Sequence, residues 1–280
     1  MPYYDPVCAA RGSSPPVFDA PHPLVFAHRG GRALGPENTL VAFARGMAAG
    51  ADGLECDVQL AADGTVVVCH DTTLERTTNA SGPVAARTAA ELARLDAAWH
   101  FGEQDGFPFR GQGIGIPTLA DVLRAHPDAR LIIEMKGSDP RLGPAVVEVV
   151  RRLDAVDRVC LGSFTPSVIR AARAAGPEVA TSACQPEVQW AIYRAWLRLP
   201  LPWATPYVAF QVPEVMGPAR VASQAFIRHA AREGHSVQVW TVNEPATMTR
   251  LLDWGANGLI SDRPDVAVAV RDRWCAEDSR

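Results

Sequence analysis

The run GLECDVQLAADGTVVVCHD, residues 53–71, decides the predicted fold because two apolar-rich arms flank an Asp-Gly pair. An Asp-Gly pair between alternating apolar residues is a strong short-range sign of a β-hairpin. We predict a four-residue loop at residues 61–64, which pairs Leu60 with Thr65. Charged residues that alternate in this way also fit the solvent-exposed face of a hairpin at the edge of a sheet. The rest of the chain must therefore decide whether these residues form a functional site or an ordinary surface.

The register predicted for this hairpin gathers acids and an imidazole on one side. Because side chains alternate with a period of two along a strand, Glu55, Asp57 and His70 share a face. The opposite face then carries Cys56 directly across from Cys69, and whether these two cysteines ever pair is left open. The hairpin therefore predicts half of an active site.

The segments on either side of the hairpin predict a barrel of parallel strands. Leu24–Ala27 is an apolar strand before it, and from residue 116 onward apolar strands alternate with helices. Eight of the nine predicted strands make a (β/α)8 TIM barrel of the α/β class, with residues 53–58 as its second strand and the His70 arm as an antiparallel addition. A parallel His70 arm would leave only residues 59–64 for a crossover, which usually takes about a dozen residues.

The length of 280 residues fits one α/β barrel domain. We place the barrel at residues 24–275, preceded by an irregular, proline-rich arm at residues 1–23. An aromatic and glycine-rich insertion at residues 72–115 interrupts the alternation of strands and helices. Such a segment is normally a lid or a substrate-side element.

Composition excludes some classes of protein. The net charge of −4 offers no basic field, so a nucleic-acid partner is not expected. The six cysteines show no CxxC or CxxH spacing, which suits a reducing compartment. The N-terminus lacks an apolar core after a basic start and no apolar run has the length of a bilayer, so we predict a cytoplasmic protein.

Polar residues at the carboxyl ends of the predicted strands are candidate ligands and catalysts, because barrel enzymes collect their working residues there. Glu55, Asp57 and Glu134 bring three carboxylates to one mouth, where they would repel one another unless a cation neutralises them. Oxygen-only ligands favour Mg²⁺ or Ca²⁺ over zinc. The other candidates are His28, Arg29, Lys136, Ser163, Gln211, Trp240 and Asp262, with His70 added by the hairpin.

Histidines and cations complete the predicted chemistry. His28 and His70 are free for proton transfer near neutral pH, while Arg29 and Lys136 suit a phosphate. Trp240 either stacks on the substrate or fills the barrel mouth, with neither favoured. No GxxxxGK[ST] loop is present, so a nucleotide-driven kinase is not supported. The set indicates metal-assisted phosphoryl chemistry on an ester.

Some polar residues near these candidates are interpreted as structural. Asn38 reads as the cap of the next helix, and Glu37 as part of the same turn. Asp71 and Asp262 read as hydrogen-bond partners that orient other groups. We leave all four out of the catalytic set.

An ordered set of short motifs runs through the chain. They are His-Arg-Gly at 28–30, Pro-Glu-Asn-Thr at 36–39, Glu-x-Asp at 55–57, His-Asp at 70–71, Glu-Met-Lys at 134–136, Ser-Phe at 163–164, Trp-Thr-Val-Asn at 240–243 and Ser-Asp-Arg-Pro at 261–264. Any one motif is weak. In this order, over nearly all of residues 24–265, the chain resembles the glycerophosphodiester phosphodiesterase family of phospholipase C-like TIM barrels.

The resemblance implies a metal-dependent hydrolase with an inserted segment after the His-Asp motif. The residues it implies are the metal ligands Glu55, Asp57 and Glu134, the general base and general acid His28 and His70, and the phosphate-binding Arg29 and Lys136. The family's usual reaction releases glycerol 3-phosphate and an alcohol. It is thought to proceed through a cyclic phosphate, formed by the neighbouring glycerol hydroxyl and then opened by water.

Two rival functions stay open. One is a lysophospholipase D, or an enzyme that stops at the cyclic phosphate, with weak membrane-interface contact through residues 189–203 (QWAIYRAWLRLPLPW). A barrel helix packed on its strand and followed by a proline-rich turn is the favoured explanation of that stretch. The other rival is a non-catalytic barrel that binds a phosphodiester. The sequence leaves open the leaving alcohol, the choice between Mg²⁺ and Ca²⁺, and the oligomeric state.

Overall fold

Eight parallel strands form a nearly closed barrel in the computed structural model, which describes residues 15–202, 204–217 and 219–278. The strands in chain order are β1 (Leu24–Ala27), β2 (Gly53–Leu60), β3 (Val66–Val68), β4 (Arg130–Met135), β5 (Val159–Gly162), β6 (Ala180–Thr181), β7 (Ala209–Pro213), β8 (Val215–Met216), β9 (Ala219–Arg220), β10 (Ser236–Trp240) and β11 (Gly258–Ser261). Neighbours follow the order β6-β5-β4-β2-β1-β11-β10-β7, and a parallel bridge between Ser182 and Ala209 joins the two ends. The predicted (β/α)8 barrel is confirmed.

Helices surround the barrel and bury their apolar faces on it. They are α1 (Leu40–Ala48), α2 (Ala89–Leu92), α3 (Leu119–Ala125), α4 (Leu142–Arg152), α5 (Pro166–Ala175), α6 (Gln185–Trp196), α7 (Gln224–Arg232), α8 (Pro245–Asp253) and α9 (Pro264–Asp278). One buried apolar cluster lies between the strands and α1, α3, α4 and α5, and a second lies beneath α6 to α9. This two-part core fixes the strand ends, which carry the polar residues.

The described part of the N-terminal arm closes the inner core. Residues 1–14 lie outside the described residues, and Pro16–Phe18 is a single 3₁₀ turn. Val17 and Phe18 are buried, and they pack with side chains inside the barrel such as Phe26, whose ring centroid lies 6.2 Å from that of Phe18. The turn therefore covers one end of the barrel interior.

The hairpin forms, but its predicted register is wrong by one residue. Val58 faces Val68 and Leu60 faces Val66, because the loop has three residues rather than four. The amide of Ala61 donates to the Thr65 carbonyl (2.9 Å), and Gly64 takes a positive φ of 79° that glycine tolerates best. This shift moves Val66 and Val68 from the side predicted to hold the acids to the side of Cys56 and Val58, where all four pack in one apolar cluster.

The one-residue shift also separates the two cysteines. Cys56 packs in the cluster beneath α1 and α3, whereas Cys69 packs with Val67 and Leu74 on the other side of the ribbon. Both thiols are free, and the predicted direct opposition of Cys56 and Cys69 is wrong.

Residues 72–115 form a small layer over the outer side of the hairpin. Its apolar side chains join Val67 and Cys69 in a cluster of their own, together with Leu74, Val84 and Leu92. The sequence predicts a short helix over residues 88–95, and the structure has one at Ala89–Leu92, with 3₁₀ turns at Val84–Ala86 and Glu103–Asp105. Its role as a lid stays a prediction.

A second small hairpin, β8 with β9, replaces the start of a predicted helix. The alternation of helices and strands predicts a helix over residues 219–233, but α7 begins only at Gln224, where the Ser223 hydroxyl accepts from the amide of Phe226 (3.3 Å). The chain therefore has an extra element at the barrel mouth. Among the residues described, no helix combines the length and the apolar character needed to cross a bilayer.

Candidate active site

A cavity of about 470 Å³ opens at the carboxyl ends of the barrel strands. The sequence-predicted residues that line it are His28, Arg29, Glu55, Asp57, His70, Glu134, Lys136, Ser163, Gln211 and Trp240. Asp262 stands directly behind His28. Side chains from eight different stretches of sequence thus meet where the fold predicts a site.

The His28–Gly30 turn holds the first two site residues against α1. A Cβ on Gly30, whose φ is +85°, would lie 2.7 Å from the amide nitrogen of Phe43, so only glycine allows this approach. A Cβ on Gly46 would in turn meet the Gly30 carbonyl at 2.6 Å. The tight packing fixes the backbone from which His28 and Arg29 project.

Three carboxylates converge at the centre of the cavity. One oxygen each from Glu55, Asp57 and Glu134 lies within 4.8 Å of the other two. Burial and the charge of Asp57 raise the pKa of Glu55 to about 7, and burial raises the pKa of Glu134 although Lys136 opposes it. A hard divalent cation would relieve this repulsion, and the all-oxygen donor set fits Mg²⁺ or Ca²⁺.

Two cations lie beside this carboxylate cluster. The Nζ of Lys136 is 3.0 Å from an Asp57 oxygen and 2.9 Å from Glu134 Oε1, while Arg29 Nε is 3.1 Å from the other Asp57 oxygen. Arg29 also donates to Glu37 (2.8 Å). The predicted phosphate-binding pair therefore borders the predicted metal ligands.

Asn38 belongs to the site and is not a helix cap. Its Nδ2 donates to Asp57 Oδ2 (2.9 Å), and its Oδ1 accepts from the Asp57 amide (3.3 Å). The cap of α1 is the next residue, Thr39, whose hydroxyl accepts from the amide of Ala42. Both residue types make good caps, so sequence alone assigned the cap one position early.

Each histidine is oriented by an aspartate through its Nδ1. His28 Nδ1 lies 2.6 Å from Asp262 Oδ1, and Asn243 holds the other Asp262 oxygen at 2.9 Å. His70 Nδ1 lies 2.6 Å from Asp71 Oδ1. Burial lowers the pKa of His28, but the hydrogen bond with Asp262 and the charge of Glu55 outweigh it, so that pKa is raised.

His70 reaches the cavity despite the shifted register because the strand ends before it. The chain leaves β3 after Val68, and Gln59 Nε2 donates to the carbonyls of both Cys69 (2.9 Å) and Asp71 (2.6 Å). One amide from β2 thus clamps the residues on either side of the histidine.

Arg76 is a site residue that the sequence analysis missed. It donates to Glu37 through two nitrogens (2.7 and 2.8 Å) and to Asp71 through Nε. Although burial opposes it, these contacts lower the pKa of Glu37 and of Asp71 to about 2 each. Arg76 therefore links the partner of Arg29 to the partner of His70, and its sequence position gave no spacing signal.

The far side of the cavity is apolar. We call Val188 and Ile192 of α6 with Val215 and Met216 of β8 the apolar wall. Phe164 and Trp240 also line the cavity, and their rings meet edge to face at 5.8 Å. The cavity thus has two chemically different ends.

Comparison with known proteins agrees with this geometry. The sequence profile of the glycerophosphoryl diester phosphodiesterase family matches residues 28–266. A glycerophosphodiester phosphodiesterase of Caldanaerobacter subterraneus is 32% identical over 253 residues, covering 88% of this chain and 96% of that protein. One from Bacillus altitudinis is 32% identical over 254 residues, covering 89% and 98%.

Solved structures share the fold. The crystal structure of glycerophosphodiester phosphodiesterase from Agrobacterium tumefaciens has a TM-score of 0.71 and 26% identity, covering 88% of this chain and 99% of that one. An Oleispira antarctica phosphodiesterase, solved in complex with the product sn-glycerol-3-phosphate, has a TM-score of 0.71 and 25% identity, covering 90% and 97%. The chain therefore belongs to the glycerophosphoryl diester phosphodiesterase family.

Proposed function

We propose that this protein hydrolyses glycerophosphodiesters to glycerol 3-phosphate and an alcohol, with one divalent cation and two histidines. The observation that carries the proposal is a single cavity in which two Asp-oriented histidines lie beside three converging carboxylates. Family membership supports the reaction class.

The proposed cation, Mg²⁺ or Ca²⁺, would be held by Glu55, Asp57 and Glu134. It would stabilise negative charge on the phosphate oxygens. The convergence of the three acids supports this, and burial together with the charge of Asp57 raises the pKa of Glu55. Asn38 fixes the orientation of Asp57 within the set.

Arg29 and Lys136 are proposed to bind the phosphate, and Trp240 to contact the glycerol part. The Arg29 and Lys136 side chains both lie within hydrogen-bonding distance of the Asp57 carboxylate. Their positive charges would offset the negative charge of the phosphodiester. Trp240 lines the same cavity beside Phe164, which places an aromatic face at its border.

His28 is proposed as general base and His70 as general acid. Nδ1 of each ring is held by an aspartate, so Nε2 of each remains for proton transfer. In the proposed path, His28 takes the proton of the glycerol hydroxyl next to the phosphate, that oxygen bonds to phosphorus, and the alcohol leaves with a proton from His70. Water then opens the cyclic phosphate.

The test is phosphorus NMR of the purified protein with glycerophosphocholine and with glycerophosphoethanolamine. We expect glycerol 3-phosphate to appear with Mg²⁺ or Ca²⁺, to stop with chelator and to resume when the ion is restored. A transient cyclic phosphate signal supports the two-step path. Release of product that is insensitive to chelator would contradict the metal, and ligand binding without turnover would favour a non-catalytic barrel.

A further inference from the structure

Helix α6 has an apolar face that points away from the barrel. Among the residues that the structure describes, nine large apolar side chains are exposed, and five of them belong to α6 or to the three residues after it. They are Trp190, Tyr193, Trp196, Leu197 and Leu199. The inner face of the helix carries the buried Ala191 and the cavity-lining Ile192. The barrel therefore covers one side of α6 and leaves an apolar side exposed.

The exposed face is large enough for a protein interface. We call Trp190, Tyr193, Trp196 and Leu197 the α6 stripe, because spacings of three and four residues place them on one side of the helix. Tyr193 and Trp196 are 65% and 79% exposed. Since an aromatic side chain presents about 150–250 Å², the α6 stripe and Leu199 together expose roughly 500 Å². An interface of about 1,000 Å² in total needs that area from each of two copies.

The α6 stripe is arranged symmetrically about Tyr193, which suits contact with a second copy of itself. In a two-fold interface, residue i of one copy meets residue j of the other, and j meets i. Two antiparallel α6 helices that cross at Tyr193 would place Trp190 of each copy against Trp196 of the other, because both lie three positions from the centre. Gln189 would meet Leu197 in the same way, four positions out. The spacing of the stripe therefore matches an antiparallel copy of the same helix.

The charges near the α6 stripe are compatible with burial in a dimer. Residues 188–202 contain no acid, so no carboxylate would be buried there without a cation. Arg194, one of the two arginines in this stretch, already has partners. Its guanidinium stacks on Trp190 at 4.6 Å, and its Nε donates to the Pro200 carbonyl (2.6 Å). Tyrosine, tryptophan and arginine are also the residue types that contribute most to binding at protein interfaces.

The direction of α6 favours a protein partner over a membrane. The helix begins at the cavity, which Gln185 lines, and Trp196 lies about 16 Å further along its axis. A membrane on the α6 stripe would therefore lie along the flank of the barrel and would not cover the cavity mouth. The net charge of −4 also gives no overall attraction to anionic lipid. Trp203, the last residue of the stretch predicted to contact a membrane, lies outside the described residues.

We propose that the α6 stripe is the interface of a homodimer in which two α6 helices pack antiparallel across a two-fold axis at Tyr193. Trp190 and Trp196 of one copy pack against Trp196 and Trp190 of the other. Val188 and Ile192, on the inner side of the same helix, line the catalytic cavity. The dimer therefore supports one wall of the cavity from outside the barrel in both copies.

Sedimentation over a dilution series tests this interface. At roughly 10 µM the wild-type chain should sediment as a dimer, because interfaces of this size reach micromolar affinity or better. Tyr193→Gln and Trp196→Gln should each raise the dimer Kd by about thirtyfold or more, since a central aromatic residue is a typical hot spot and each substitution acts in both copies. Both side chains are exposed, so where the monomer predominates each variant should unfold like the wild type.

The matched control is Leu40→Gln on α1, which also changes an exposed apolar residue (39%). Helix α1 joins β1 to β2 and α6 joins β6 to β7, and these two strand pairs are half a circuit apart around the barrel. The control variant should therefore keep the wild-type Kd. A cross-link gives an independent measurement of the axis: a short bis-maleimide should join two copies of Tyr193→Cys well beyond the level seen for the wild type with its native cysteines.

Three results would overturn the proposal. The first is a wild-type chain that stays monomeric at its highest soluble concentration. The second is a dimer that both glutamine variants leave intact. The third is a monomer that binds vesicles of phosphatidylcholine and phosphatidylglycerol and loses this binding in Trp196→Gln, since the α6 stripe would then be a membrane contact.

Discussion

The two ends of the cavity are built in opposite ways. At the reaction end, charged side chains are paired: Arg29 bonds Glu37, Lys136 bonds Asp57, and His28 bonds Asp262. At the apolar wall, Val215 and Met216 are about half exposed and rest on a two-residue strand. The difference teaches that the charged end is held by a connected network of ion pairs and hydrogen bonds, whereas the apolar wall is held by few contacts. Changes at the two ends should therefore differ greatly in size.

The largest effect is expected for the histidines of the reaction end. His28→Ala or His70→Ala removes one proton-transfer group, so kcat should fall by roughly a hundred- to ten-thousand-fold. Steady-state rates on glycerophosphocholine measure this, with circular dichroism to check the fold. The control is the exposed His100→Ala, which should keep the wild-type rate. Equal rates in all three variants would mean that neither histidine moves a proton.

The next effect concerns the three carboxylates. A ligand that binds only the folded state at a hundredfold its Kd adds about 3 kcal/mol to the free energy of unfolding. We expect Mg²⁺ or Ca²⁺ to stabilise the wild-type protein in this way and Glu134→Gln to lose most of that gain. Thermal melts with and without chelator make the measurement. The exposed Glu148→Gln on α4 is the control, and a variant at Glu134 that kept the full gain would place the ion elsewhere.

A smaller effect, on the free energy of unfolding, is expected for a substitution of Glu37, which pairs with both Arg29 and Arg76. Glu37→Gln leaves Arg29 and Arg76 without their shared carboxylate, which should cost about 2 kcal/mol of stability near neutral pH. The folded pKa of Glu37 is lowered from 4.5 to about 2, so its contribution is complete above 4.5 and is lost as the pH falls toward 2.

Urea unfolding at several pH values tests the network. The wild-type stability should decrease over that acidic window, and Glu37→Gln should show a shallower decrease. The exposed Glu103→Gln serves as a control with the wild-type profile. Parallel profiles for the wild type and Glu37→Gln would show that the pairs with Arg29 and Arg76 contribute nothing to stability.

The smallest effect on the free energy of unfolding is expected for the exposed residue Trp196 of α6. Trp196→Gln removes a large but 79% exposed side chain, so the free energy of unfolding should stay within about 0.5 kcal/mol of the wild type. The buried Phe226→Ala on α7 should instead cost about 3 kcal/mol or more. A large loss of stability in Trp196→Gln would show instead that this exposed side chain contributes substantially to the packing of α6.

Much of the barrel was predictable because its signals are local. Alternating strands and helices after residue 116 indicated parallel crossovers, and polar residues after buried strands indicated the site. The strand ends carrying Glu55, Asp57 and Glu134 meet because parallel neighbours share one edge. The pattern alone predicted that these three carboxylates converge, and they do.

The errors arose where one local signal allows two geometries. The Asp-Gly pair fits both three- and four-residue loops, so the register of Val58 with Val68 was missed by one. Asn38 and Thr39 are both good caps, and only the tertiary contact with Asp57 separates them. Arg76 had no signal, since its partners Glu37 and Asp71 meet only after folding.

The bond between His28 and Asp262 joins the first barrel strand to the last. The two residues are 234 positions apart, and β1 pairs directly with β11. A nascent chain that ends before β11 therefore has no partner for the imidazole at the end of β1, however well its other strands have formed. The hydrogen bond that orients the His28 ring can therefore form only after the whole barrel has been synthesised.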